Sequence, residues 1–175
     1  KRVISNMSKR HEYGIDNDDT MGALLNTEYY REFEKVFPLF HTIHNNTVTI
    51  YYKFGYFINN VNYKMFDPDT WYKCFFIRLE EISRFKKNNG YNYKSKFILD
   101  DKGISFMNVL KKVDLIRVIN KVSATHFPES VEKIYIINIS NAFYMGLKLT
   151  RSILDAQLFE KLEFDKTPNL ETLVM

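Results

Sequence analysis

Two short apolar segments, Phe97-Ile98-Leu99 and Ile134 to Ile139, stand on either side of a long amphipathic stretch. A strand with one wet face alternates apolar and polar residues. A continuous apolar run is instead the pattern of a strand covered on both faces, as in a parallel sheet flanked by helices. Between the two segments, Phe106, Val109, Leu110, Val113, Ile116 and Ile119 recur at steps of three or four, and Lys112, Asp114, Arg117 and Lys121 fall largely off that stripe. This predicts an amphipathic crossover helix. Strand, crossover helix and strand in that order make a parallel β-α-β unit, so the expected fold class is α/β with a mainly parallel sheet covered by helices.

The rest of the chain can be fitted around that unit. A helix is expected over Thr27 to Val36, ended by Pro38, because the residue before a proline disfavours helix. His41 and His44 then fall in a loop, Asn45-Asn46 marks a turn, and the β-branched and aromatic run Thr47 to Phe54 reads as a strand. Asp67-Pro68 supplies an N-cap and a first-turn proline for a helix carrying Trp71, Cys74, Phe75, Leu79 and Ile82. That helix runs to about Lys87 and is broken at Asn88-Asn89-Gly90. A last short strand is expected over Lys161 to Phe164, followed by a helix start at Pro168-Asn169. Residues 1–20 are polar, with Lys9, Arg10 and His11 followed by Asp16, Asp18 and Asp19, and read as a loosely held terminus.

Composition narrows the function. With 175 residues, of which 45% are hydrophobic and 16% aromatic, the chain supports one packed domain rather than a disordered one. The formal charge of +4 is a mild excess that favours anionic surfaces without demanding them. Cys74, the single cysteine, excludes a disulfide framework and fits a reducing, cytoplasmic compartment; it lies on an apolar helix stripe and reads as a core residue. No apolar run reaches the roughly 18 residues that span a bilayer. Gly55, Gly103 and Gly146 are isolated, and neither a glycine-rich phosphate loop nor a nucleophile-elbow motif occurs. His11, His41, His44 and His126 are scattered without a carboxylate or thiol set, so no metal is expected. Lys and Arg do not interleave with the aromatics as a nucleic-acid stacking surface requires. No case for catalysis emerges, and no cofactor is expected.

Residues 141–155 are unusual. Phe143, Tyr144, Met145, Leu147, Leu149, Ile153 and Leu154 cover well over half of a helix circumference, with Lys148, Arg151 and Ser152 as the main polar positions. A helix apolar nearly all round is either buried centrally or faces two apolar environments. One wall of a greasy cavity with a membrane on its other side satisfies the second condition.

Several ordered motifs in this region resemble the CRAL-TRIO lipid-binding domain, most closely the phosphatidylinositol/phosphatidylcholine transfer proteins of the secretory pathway. These are Asp100 with Lys102-Gly103-Ile104, Phe127-Pro128-Glu129, Ile136-Ile137-Asn138 and Ile153-Leu154-Asp155, at the family's spacing from Asp100 to Lys161 without an insertion. Weaker similarity reaches back to about Tyr30, where FPLFHTIHNNTVTIYYKFG resembles the family's entry strand. The resemblance implies a poorly defined N-terminal segment over residues 1–26 and a lipid-binding domain over 27–175 that lacks the family's last strand.

It also implies an apolar pocket that holds one phospholipid and is closed by a gate helix, with Phe143, Tyr144, Leu147, Ile153 and Leu154 as its wall. A diacyl lipid carries roughly 30 methylenes, so at about 0.8 kcal/mol each its exposure would cost on the order of 25 kcal/mol, and only a closed cavity makes a soluble carrier workable. For phosphatidylinositol, the resemblance gives headgroup roles to Glu129, accepting from inositol hydroxyls, and to Lys161, neutralising phosphate. The family's accompanying threonine is replaced by Leu158. For phosphatidylcholine, Ser95 matches one of two family hydroxyls, and Phe97 replaces the other. The implied protein is a non-enzymatic monomer, peripheral at membranes, with a phospholipid as its partner. A CRAL-TRIO-like interaction domain that has lost its lipid and binds a protein is the alternative.

Overall fold

In a computed structural model, which describes residues 2–127, 129–141, 144 and 156–165, the two apolar segments are adjacent parallel strands of a five-stranded sheet ordered β1-β2-β3-β4-β5. The antiparallel hairpin of β1 (Phe40–His44) and β2 (Thr47–Tyr52) forms one side. β2, β3 (Ser95–Asp100), β4 (Val131–Ile137) and β5 (Leu162–Asp165) are parallel. The expected α/β class is therefore present. Register aligns Ile50, Phe97, Ile134 and Leu162 in one row and Tyr52, Leu99, Ile136 and Phe164 in the next. Because side chains alternate across a sheet, both rows lie on the same face.

Helices connect these strands. α1 (Arg2–Glu12), α2 (Asp18–Leu25) and α3 (Glu28–Val36) precede the hairpin, and α4 (Phe54–Asn60) follows it. α5 (Pro68–Asn88) carries the chain from β2 to β3, and α6 (Phe106–Lys111) with α7 (Val113–His126) carries it from β3 to β4. α8 (Ala156–Glu160) leads into β5. The Asp67 carboxylate caps α5 by accepting from Asp69 N and Thr70 N, each at 2.9 Å, with Pro68 in the first turn. Phe33, Phe37, Trp71 and Phe75 interlock α3 with α5; the Phe33 and Phe75 ring centroids are 5.1 Å apart and edge to face.

Three local features differ from the expectation, while the expected Asn45-Asn46 turn is present. β1 is a strand where a loop containing His41 and His44 was expected: its residues are mostly exposed, so they lack the apolar alternation that marks a half-buried strand. The Asn45-Asn46 turn is left-handed at both positions, with φ of 45° and 63°, as a two-residue hairpin requires. β2 stops at Tyr52, and Phe54 begins α4 instead of ending the strand. The crossover is two helices, broken at Lys112, whose ammonium donates to Ile58 O on α4.

Residues 1–20, expected to be loosely held, carry α1 and the start of α2, and several of their charges are partnered on α5. Arg10 and Arg84 both bond the buried Glu80, and Arg84 also reaches Asp18 and Ile15 O. Ile15 is fully buried, and α1 packs against α7. The charge pattern belongs to an inter-helix network that sequence spacing alone does not reveal. The expected helix at Pro168-Asn169 lies outside the described residues.

Gly55 fixes how closely α4 approaches the turn after β3. A Cβ there would sit 2.4 Å from Lys102 O and 2.8 Å from the Asp101 carbonyl carbon, both of them backbone atoms. Gly55→Ala is therefore expected to lower the unfolding free energy by about 1–3 kcal/mol through overpacking. Urea denaturation checks this, with a lower midpoint at unchanged slope as the expected result.

Candidate functional site

The two aligned rows form the floor of a cavity of about 190 Å³. Phe97, Leu99, Ile134, Ile136 and Leu162 line it from the sheet. Phe75, Arg78 and Leu79 of α5, Val109 and Leu110 of α6, and Val113, Ile116 and Ile119 of α7 line it from above. Leu158 and Phe159 close the side next to α8. The crossover stripe Val109, Leu110, Val113, Ile116 and Ile119, read from the sequence as an ordinary core-facing surface, is in fact largely cavity wall.

Polar groups among these walls are few. Arg78 is almost fully buried: its guanidinium donates to Glu81 at 3.0 Å and to Glu34 and Phe37 O at 3.3 Å, and lies over the Tyr30 and Phe33 rings. Tyr30 OH donates to the same Glu81 carboxylate at 2.9 Å. The charge is thus compensated where it is buried. Asp101, 2% exposed, also lines the cavity. Burial, and secondarily the neighbouring Asp100, push its carboxyl well above the usual carboxylate range.

Asp100 and Asp101 are adjacent but project to opposite faces. Asp100 accepts from Tyr51 OH on β2, from Asn138 Nδ2 just past β4 at 2.8 Å and from Lys102 N at 3.0 Å. Burial works to raise its pKa, but these hydrogen bonds outweigh it and hold the carboxylate below its ordinary range. Asn138 takes φ of 57° to make this contact, and Gly103 takes φ of 77° in the turn that follows. Asp100, Gly103 and Asn138, which stand in the motifs quoted above, thus tie together the C-terminal ends of three strands.

Ser95, Glu129 and Lys161 gather at the opposite edge, where β3, β4 and β5 begin. Ser95 is fully buried, its hydroxyl accepts from Lys86 Nζ at 3.0 Å, and the same ammonium donates to Tyr93 O. Burial pushes Lys86 down to about 8. Glu129 is exposed, just before β4. Lys161 is half-buried and donates to Val131 O at 2.6 Å, so its ammonium sits beside a cavity-lining residue of β4. Leu158 is buried and Phe97 nearly so, and both line the cavity.

Of the expected gate wall, Tyr144 is described: it is half-buried with its ring edge on to Phe164, centroids 5.2 Å apart. Phe143, Leu147, Ile153 and Leu154 lie outside the described residues. Among the described residues no cluster of His, Cys, Asp and Glu is placed to hold a metal ion. The sequence reading did not find Arg78 or Asp101. For Asp101 a signal existed, since Phe97, Leu99 and Asp101 share the period of two that defines the cavity face.

The Asp101 carboxyl opposes folding at neutral pH. Its folded pKa lies above the unfolded one, so the contribution it makes is retained at low pH and lost as pH rises past the ordinary carboxylate range. Asp101→Asn is therefore expected to stabilise the protein at pH 7 by about 1 kcal/mol or more, the gain shrinking as pH falls toward about 4. Chemical denaturation of both proteins across that range measures it.

Comparison with known proteins agrees with this architecture. The crystal structure of Sfh5 superposes with a TM-score of 0.66 at 15% identity, over 93% of this chain and 56% of that one. This chain thus spans little more than half the length of that solved relative. No curated protein matches the sequence. The family model described as the CRAL/TRIO domain matches residues 34–174, which is most of the chain. The chain belongs to the CRAL/TRIO domain family.

Proposed function

We propose that this chain is a lipid-binding and transfer module that shelters one phospholipid, phosphatidylinositol in the first instance, and exchanges it at membrane surfaces. The observation that carries this reading is the apolar cavity of about 190 Å³ between sheet and helices in a member of a lipid-binding family. A cavity of roughly 150 Å³ lined by aliphatic side chains already takes up a benzene-sized molecule. A whole diacyl lipid needs more room, so loading requires the walls to part. In this reading residues 141–155 form the gate, with Phe143, Tyr144, Leu147, Ile153 and Leu154 facing the acyl chains.

The headgroup sits at the strand-start edge. Glu129 there is open to solvent and suited to accept from inositol hydroxyls, while the Lys161 ammonium at the end of the cavity neutralises phosphate. Choline-lipid binding is less well supported, because the Ser95 hydroxyl is already engaged by Lys86 and Phe97 offers no hydroxyl at all.

Purified protein extracted and analysed by mass spectrometry is expected to yield co-purified phosphatidylinositol. Glu129→Ala and Lys161→Ala are each expected to reduce phosphatidylinositol uptake from vesicles about tenfold, with uptake of other phospholipids changed much less. Equal losses for every lipid contradict the headgroup assignment. A protein that carries no lipid and takes up none contradicts the lipid reading, and leaves the family's fold serving a protein partner.

A further inference from the structure

One carboxyl oxygen on the cavity floor, Oδ1 of Asp101, is buried without a hydrogen-bond partner among the described residues. Asp101 N donates to Ile137 O at 3.0 Å, which extends the β3–β4 ladder by one residue and sets the Asp101 side chain on the same face as Phe97 and Leu99. The structural work at this position is done by the backbone: the Asp101 carbonyl accepts from Ile104 N at 3.0 Å, and Gly55 abuts the same carbonyl. Strand clamping is the task of Asp100, on the opposite face. The Asp101 carboxyl is buried, and its Oδ1 makes no hydrogen bond among the described residues. Buried polar side chains without a partner are uncommon and costly. The other charged group on the wall, Arg78, is held by Glu81, Glu34 and Phe37 O.

We propose that Asp101 is a ligand-recognition residue, its carboxyl hydrogen-bonding an uncharged hydroxyl carried by the otherwise apolar molecule that enters the cavity. The chemistry favours a hydroxyl over other groups. Burial and the adjacent Asp100 favour the protonated form of Asp101, which offers one donor and one acceptor, the complement of an alcohol. Plain hydrocarbon leaves both unsatisfied, and a site built to bond a hydroxyl discriminates against the analogue that lacks it. Asp101 also lies at the end of β3 remote from Glu129 and Lys161, so it meets a different part of the ligand from the proposed headgroup edge. The inference rests on the reading of the cavity as a lipid site.

The test is uptake of radiolabelled hexadecanol and hexadecane from phosphatidylcholine vesicles by the full chain. The wild-type protein is expected to favour the alcohol, and Asp101→Leu to lower the alcohol-to-alkane ratio by about tenfold, chiefly by gaining affinity for the alkane. Asp101→Asn, which keeps a donor and an acceptor, is expected to retain the preference. Asp101→Leu is further expected to melt at a higher temperature than wild type, because it removes an unsatisfied buried polar group. Asp101→Ala serves the same comparison should leucine not be accommodated. An unchanged ratio in the apolar variants, with wild type taking up both probes, overturns this inference and leaves the lipid reading intact. Failure of both apolar variants to fold shows the carboxyl to be structural and also overturns it. If wild type takes up neither probe nor any phospholipid, the lipid reading fails and this inference with it.

Discussion

An apolar cavity held open in the middle of a small domain is the constraint to which the rest of this structure answers. Apolar side chains that face a cavity forgo packing contacts, which costs stability. Native domains have only about 5–15 kcal/mol of net stability, so the frame around the void must be rigid and well bonded. α5 is the main beam of that frame. On one side it packs Trp71 and Phe75 into the aromatic cluster with α3, and on another Glu80 and Arg84 collect α1 and α2. Arg78, bonded from α5 to both Glu81 and Glu34, sets the distance between α3 and the cavity wall.

The sheet is pinned at both ends of its central strand. At the C-terminal end Asp100 gathers Tyr51, Lys102 N and Asn138. At the N-terminal end the buried Lys86 ammonium reaches Tyr93 O and Ser95 from α5. Between these clamps the strand middles contribute only side chains such as Phe97 and Leu99 to the floor. A buried ammonium with its pKa pushed down to about 8 is an expensive clamp. It also explains why the Ser95 hydroxyl, which the family resemblance assigns to a headgroup, is directed inward here.

The parts of the fold legible in the sequence are those set by local periodicity. The parallel pair β3 and β4, the α5 cap at Asp67, and β5 follow from apolar runs and capping residues that carry their own signal. β1 did not, because an exposed edge strand has no apolar alternation to read. The N-terminal helices did not, because the residues that hold them, Glu80 and Arg84, lie some 70 positions away along the chain. The site was legible in a different way. Its motifs proved to include the strand clamp, since Asp100, Gly103 and Asn138 are required by backbone geometry and hydrogen bonding. Resemblance to a family therefore located the frame of the pocket more directly than the polar groups on its walls.

Those groups are distributed unevenly between the two ends of the cavity. Leu158 and Phe97 stand where the family resemblance places hydroxyls, and both have become apolar lining. Asp101 brings a carboxyl to a floor that is otherwise apolar along β3. On the cavity floor β3 is thus apolar at Phe97 and Leu99, and the carboxyl follows just past its far end at Asp101. Glu129 and Lys161 lie away from that floor, one exposed and one bonded to Val131 O, so the charged residues at the strand starts and the Asp101 carboxyl are separated by the length of β3.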